Sequence, residues 1–230
     1  ISTDDKVAQR VSGGLGVDGL SADGYIKIPL SQKSSVSFFA RNSYLDVLEG
    51  PTYEAYERKI FNNTGTITYS NGNPLNVNSD DGYTYENSKN DFRFYDLNAK
   101  YVYQPSRKDK ISVSALMTRN RTHFSFAHEG EIKKDSLTTG NGGISANWTH
   151  HTSPTQTEEI TAYFSSYDSY YRNEELFGGT LEETNIRGNR ISDFGLELKS
   201  DRTLKNNDQL TFGYQLSNTN LEIDLSTESN

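Results

Sequence analysis

The sequence predicts an all-β fold, an antiparallel up-and-down set of strands forming a portion of a transmembrane β-barrel. Three observations predict it. Residues 90–153 alternate apolar and polar with a period of two, the signature of strands with one face in an apolar medium. Hydrophobic residues make up only 33% of the chain, yet it carries 15 Tyr and 11 Phe, a balance suited to a barrel with a polar interior and aromatic rims rather than to an aliphatic soluble core. The connections are unequal, with short turns alternating with longer polar stretches, as on the two rims of such a barrel.

Taken in order, Val7 to Val17 reads as a glycine-loosened strand, with a turn at Asp18–Ser21 and a return strand from Ala22 to Leu30. Ser31–Ser35 is a polar turn. The next strand, Val36 to Val47, sets Val36, Phe38, Ala40 and Tyr44 against Ser37, Arg41 and Ser43, with Phe39 out of pattern. Residues 49–89 form a long polar insertion in which Tyr53–Phe61 reads as a short helix. A loop this long is uncommon in a compact soluble domain but ordinary on the outer rim of a barrel.

In the central stretch, Tyr95, Leu97, Ala99, Tyr101 and Tyr103 oppose Asp96, Asn98 and Lys100. Ile111, Val113, Ala115 and Met117 oppose Ser112, Ser114 and Thr118, and Ile144, Ala146 and Trp148 oppose Ser145, Asn147 and Thr149. Glu158–Tyr171 is an aromatic-rich strand. Ser192–Ser200 sets Phe194, Leu196 and Leu198 against Asp193, Glu197 and Lys199, and Leu210, Phe212, Tyr214 and Leu216 then oppose Thr211, Gln215 and Ser217. Short turns are expected near 31–35, 104–109, 151–156 and 201–207, and longer loops at 49–89, 127–141 and 173–190. Each clean segment matches the roughly 9–11 residues with which a tilted strand crosses a bilayer. Nine strands are expected. Because bacterial single-chain barrels carry even strand numbers, nine read as part of a larger one.

A net charge of −8 excludes the basic face that a phosphate backbone requires, so no nucleic-acid partner is expected. With no cysteine there is neither a disulfide framework nor a thiolate metal site. No run of 18 apolar residues offers a membrane-spanning helix, and no basic-then-apolar segment opens the chain at Ile1; an exported protein would here be mature or cut. No Gly-x-Ser-x-Gly, P-loop or His-Glu-x-x-His motif is present, so the chain is expected not to be an enzyme and to need no cofactor. His123, His128, His150 and His151 read as rim and turn residues rather than metal ligands. Residues 76–82 space oxygen donors like a calcium loop, but the glycine is one place late and no glutamate closes it, so no metal is expected.

The stretch Gly13–Leu30, followed by Lys33–Asp46, resembles the opening barrel strands of TonB-dependent receptors of the Bacteroidetes. Phe94–Lys100 and Asn147–His150 resemble the same family's next strands, and Ile1–Thr3 the end of its plug domain. Ile28-Pro29 stands where the family carries glutamate-glycine before the proline. The resemblance implies residues 1–5 as a remnant of the plug-to-barrel junction and 6–230 as a partial barrel, with the plug, the TonB-contacting segment and most of the family's roughly 22 strands lying elsewhere. It implies a bacterial outer-membrane location and energy-coupled uptake of a scarce nutrient: a siderophore, cofactor, glycan or peptide. Implied partners are outer-membrane lipid, the protein's own plug and remaining strands, and the TonB complex. A surface lipoprotein and the barrel-assembly machinery stay open as further partners.

On this reading Arg41, Asp96, Asn98, Lys100, Asn147, Glu197 and Lys199, together with Asp193 and Gln215, face the lumen, where mixed charge suits salt bridges to a plug. Leu97, Ala99, Tyr101, Ile111, Val113, Ile144, Trp148, Leu196 and Phe212 face lipid. Tyr53, Tyr56, Tyr83 and Tyr85 are loop-tip candidates for ligand contact, and Phe92, Phe94, Trp148, Tyr170 and Tyr171 read as a membrane-interface girdle. Two rivals remain: a porin- or adhesin-like barrel, which would lack a plug, and a soluble carbohydrate-binding β-sandwich, which would have strands of about five or six residues and stay soluble without detergent.

Overall fold

The computed structural model describes residues 6–44, 69–70, 73–74, 86–128 and 131–229. These form eleven strands and, among the described residues, no helix. They are β1 (Ser12–Val17), β2 (Ser21–Ser31), β3 (Ser34–Ser43), β4 (Tyr69–Ser70), β5 (Asn73–Pro74), β6 (Glu86–Tyr103), β7 (Asp109–His128), β8 (Glu131–Ser153), β9 (Gln156–Phe177), β10 (Thr180–Thr203) and β11 (Gln209–Ser229). β4 and β5 make a small hairpin of their own. The other nine form one sheet in the order β1-β2-β3-β6-β7-β8-β9-β10-β11, every pair antiparallel, which is the expected up-and-down arrangement.

The short turns lie where the sequence puts them, at residues 32–33, 104–108, 154–155 and 204–208. The other end departs from expectation. Residues 127–128, 131–141, 173–177 and 180–190, within the stretches read above as loops at 127–141 and 173–190, are strand. β8 pairs with β7 from Asp109↔His150 to His128↔Glu131 without a slip, and β9 and β10 meet in a two-residue turn at Gly178-Gly179. Both glycines have positive φ, 56° and 86°, the backbone that a tight hairpin turn demands. β6 to β11 therefore run 18 to 24 residues, about twice what a bilayer needs. Polarity on both faces reads as loop in the sequence, but a strand held by ladders on both sides needs no apolar stripe. β1 is shorter than expected. Its lead-in leaves the ladder, and the Ala8 amide donates to Ser35 Oγ at 3.0 Å. The tyrosines at 53, 56, 83 and 85, the helix expected over 53–61 and the junction at 1–5 lie outside the described residues.

Among the described residues the sheet has no second layer. Val102, 4% exposed, is the one hydrophobic side chain buried among the described residues, while Ile144, Phe164 and Phe194 are about half exposed at 52%, 46% and 57%. The apolar face is uncovered, so its medium is not a protein core built by these residues.

Candidate functional site

Register assigns every strand residue to a face, because partners across a ladder share a side. On one face, Ile26, Phe38, Ala99, Ala115, Ile144, Phe164 and Phe194 form an unbroken row from β2 to β10. The next row toward the short turns is Ile28, Val36, Tyr101, Val113, Ala146, Ala162, Leu196 and Leu216. Ile111 and Trp148 follow one row below. All nine expected lipid-facing residues thus share one face.

This apolar band is oblique to the ladder. The row through Leu97 passes Met117, Gly142, Ser166 and Ser192 to reach Asn220, four residues beyond Leu216, the last apolar residue of that face on β11. At the other end the row through Tyr103 reaches Tyr214, and the band continues four residues further to Leu210. A slip of four residues, about 13 Å, over five strand spacings, about 24 Å, is a slope of about 30°. A level apolar slab crossed by tilted strands produces such a slant.

Aromatic side chains gather where the band meets the short turns. Tyr101 and Tyr103 stack at 6.5 Å between ring centroids, and Trp148 and His150 lie 5.6 Å apart. Trp148 Nε1 donates to Asp109 Oδ1 at 3.3 Å, and His150 Nδ1 lies 2.7 Å from the same oxygen. The Ser106 hydroxyl, and then His150, hold the Asp109 carboxyl below its usual range.

The opposite face holds all seven expected lumen residues, with Asp193 and Gln215. Arg41 and Asp96 are register partners, with Arg41 Nε 2.7 Å from Asp96 Oδ2 and the guanidinium carbon 5.0 Å from the Phe94 ring centroid. Asn98 lies between Phe39 and Leu116, and Lys100, 8% exposed, between Ser37 and Ser114. Asn147 Nδ2 donates to Thr161 Oγ1 at 2.8 Å and its Oδ1 accepts from Thr149 Oγ1 at 3.1 Å. Lys199 Nζ reaches Asp201 at 2.7 Å, and Glu197 sits between Thr161 and Gln215. The Arg41–Lys100 group and the Glu197–Lys199 group are four strands apart, about 19 Å. They share a wall and do not converge on a pocket.

Above the Leu97 row the two faces exchange character. On the face of the band now stand Arg93, Arg119, Arg121, Asp168, Arg172, Arg190 and Glu222, and on the opposite face stand Phe92, Phe94, Leu137, Tyr167, Tyr171, Ile191, Leu221, Ile223 and Leu225. This corrects the girdle expectation. Phe92, Phe94 and Tyr171 share the face of Asp96, and their rings point away from the band; Phe92 and Phe94 are 5.7 Å apart. The missed signal is parity. Leu210 to Leu216 are apolar at even numbers and Leu221 to Leu225 at odd ones, with no bulge between them.

Near the far end of this opposite face, Asp135 is 2% exposed and accepts from the Tyr171 hydroxyl and from Asn173 Nδ2, the latter at 3.1 Å. Burial, then the bond to Asp135, pushes the Tyr171 phenol up to about 12. In the row of Asp135, Thr227 Oγ1 donates to Asn185 at 2.8 Å. Nearby, Lys133 bridges Glu131 at 3.0 Å and Glu175 at 3.2 Å, and hydrogen bonds to both carboxylates raise its proton affinity. This closely bonded collar joins β8 to β11. Among the described residues no group of three or more His, Asp or Glu forms a metal cage.

Neither protein-family models nor curated proteins match the chain. Among solved structures, the ferric citrate transporter FecA in its unliganded form aligns at a TM-score of 0.43 with 7% identity, over 94% of this chain and 34% of that one. The ferric yersiniabactin uptake receptor FyuA from Yersinia pestis aligns at a TM-score of 0.51 with 7% identity, over 90% of this chain and 34% of that one. The chain thus spans about a third of the length of the receptors it matches. Its all-β antiparallel meander is similar in fold to a stretch of the FyuA receptor.

Proposed function

We propose that these residues are part of the barrel of an outer-membrane TonB-dependent receptor that takes up a scarce nutrient. The slanted apolar band carries the reading. An uncovered apolar face, oblique to strands of 18 to 24 residues and bordered by Tyr, Trp and His, fits lipid. A soluble sandwich would cover that face and use short strands. On this reading the long connection over residues 45–85 and the strand extensions stand outside the cell, and the short turns face the periplasm. The mixed charges of Arg41, Asp96, Lys100, Glu197 and Lys199 would face a plug, and further strands would close the sheet beyond β1 and β11. The Bacteroidetes type rests on the sequence resemblance in β1–β3 and β6. A siderophore, cofactor, glycan or peptide fits the class. Loop-borne Tyr53, Tyr56, Tyr83 and Tyr85 remain candidates for meeting it.

Fractionation of the full-length protein tests this. It is expected in the outer-membrane fraction, released only by detergent, running as a compact species on unheated gels, with nutrient uptake lost when TonB is deleted. A folded monomer in plain buffer would overturn the barrel reading, and uptake indifferent to TonB would overturn the receptor reading.

A further inference from the structure

On the face opposite the band, the part of the sheet nearest the short turns is divided by charge. Lys27, Ser37, Lys100, Ser114 and Ser145 stand in one row from β2 to β8. The next row toward the turns carries Ser35, Val102, Ser112 and Asn147, and Lys110 and Thr149 follow. Lys33, Arg107 and Lys108 then occupy the turns themselves. Those two turns are tied together: Lys33 Nζ donates to the Pro105 carbonyl at 2.7 Å, and the Gln104 amide to the Lys33 carbonyl at 2.7 Å. From the row of Asn98 down to the turns, no Asp or Glu stands on this face of β2, β3, β6, β7 or β8 among the described residues. The chain has 31 Asp and Glu against 23 Lys and Arg, so a tract free of carboxylates runs against its composition. Carboxylates return on β9 and β10 with Glu159, Glu197 and Asp201. Asp109, next to Lys110, belongs to the other face, where Ser106, Trp148 and His150 hold it. Ser35, Lys100, Ser112 and Thr149 are buried, so the Lys100 row sets its charge among hydroxyls and a second lysine.

We propose that this tract of lysine and serine binds an oxyanion group of the transported nutrient, a phosphate or a carboxylate, and leads it along β2 to β7 toward the short turns. The inference rests on the receptor reading above, which turns this face to the lumen and the short turns to the periplasm, and it narrows the nutrient to an anionic one passing between wall and plug. Lys27 and Lys100 are two strand spacings apart, about 10 Å, and Lys110 lies one strand and about four residues beyond Lys100, about 14 Å. Successive ammonium groups on flexible stems thus line a path rather than a closed cage. Lysine offers a compact charge and serine a rotating hydroxyl, and neither imposes the fixed paired geometry of an arginine fork. Such contacts suit passage, which needs sites favourable enough to enter and weak enough to leave. The tract has clear ends. Above it Arg41 stands in register between Asp23 and Asp96 and is bonded to Asp96, and beyond β8 Lys199 is held by Asp201 at 2.7 Å.

Reductive labelling of the full-length protein in detergent tests the tract, with pyridoxal phosphate as probe and pyridoxal as its phosphate-free counterpart. Each aldehyde forms an imine with a lysine amine, releasing water, and borohydride reduces the imine to a stable amine. Peptide mass spectrometry then reads the rate at each lysine. Relative to Lys199, which lies on the same face, Lys27 and Lys110 are expected to favour pyridoxal phosphate over pyridoxal by about tenfold. Inorganic pyrophosphate or citrate should abolish that preference, the first marking a phosphate-bearing nutrient and the second a carboxylate-bearing one. Lys100→Met should lower the preference at Lys27 by about threefold or more, with heat-modifiable migration on gels reporting that the variant folds; the wild-type comparison stands without it. The same reagent ratio at Lys27, Lys110 and Lys199, or a preference that neither anion removes, overturns the tract while the receptor stands. Uptake indifferent to TonB removes the receptor reading and this inference with it.

Discussion

Ala99 and Asn98 are chain neighbours on opposite faces, and an arginine at each separates the lipid reading from a protein-core reading. Ala99 sits in the unbroken apolar row between Phe38 and Ala115, with Leu97 and Tyr101 above and below it on β6. This is near mid-height of the band, where an outward arginine costs about 2–4 kcal/mol, falling to about 0–1 kcal/mol near the interface. Ala99→Arg should therefore lower the folding equilibrium constant by about 30- to 1,000-fold. Leu97→Arg, one row from the arginine belt, should cost less. Asn98→Arg lies beside Phe39 and Leu116 on the wetted face and should stay within about 0.5 kcal/mol. The assay is denaturant titration of the full-length protein refolded into lipid vesicles, followed by gel mobility without heating. If Asn98→Arg is the costlier change, or Leu97→Arg costs more than Ala99→Arg, the faces or the depth are misassigned.

Further expectations concern the Asp135 collar and the turns. Asp135→Ala leaves the Tyr171 hydroxyl and Asn173 amide unpartnered and should cost about 1–3 kcal/mol in the same titration. Tyr171 keeps its proton to about 12 in the folded protein, above its ordinary value near 10, so its contribution is whole below about pH 10 and is lost as pH rises through about 12. Stability measured across that window should fall more steeply in wild type than in Tyr171→Phe. Gly178→Ala or Gly179→Ala forces a side chain into the left-handed region and should cost roughly 1–2 kcal/mol each. Gly195 lies under the Tyr163 ring, which a Cβ there would overlap, so Gly195→Val should cost about 1–3 kcal/mol and Tyr163→Ala should relieve it in a double-mutant cycle.

Much of the fold was legible because alternation over Tyr95–Tyr103, Ile111–Met117 and Phe194–Leu198 states both strand and face, and the turns at 104–108 and 204–208 are marked by polar runs. The extensions were not. Along Glu131–Asn141 polar residues occupy both faces, so the local pattern matches that of a loop; only pairing with β7 and β9 identifies strand. The polar set was legible as a parity class, because its members share one face. Its Arg41–Asp96 pairing was not, because two residues 55 apart meet only through register. Phe92, Phe94 and Tyr171 read as a girdle because aromatic residues near strand ends resemble one, although their parity with Asp96 and with Tyr163 already sets them on the face opposite the band.

The central claim is that the odd-numbered residues from Leu97 to Tyr103 touch lipid. Nitroxide labels placed singly at residues 96 to 103 of the full-length protein in vesicles test it through collisions with oxygen, which concentrates in the bilayer, and with a water-soluble nickel chelate. The account predicts high oxygen accessibility at 97, 99, 101 and 103, peaking near 99 to 101, and low oxygen accessibility at 96, 98, 100 and 102. Inverted alternation, or oxygen accessibility low and level throughout, would contradict it.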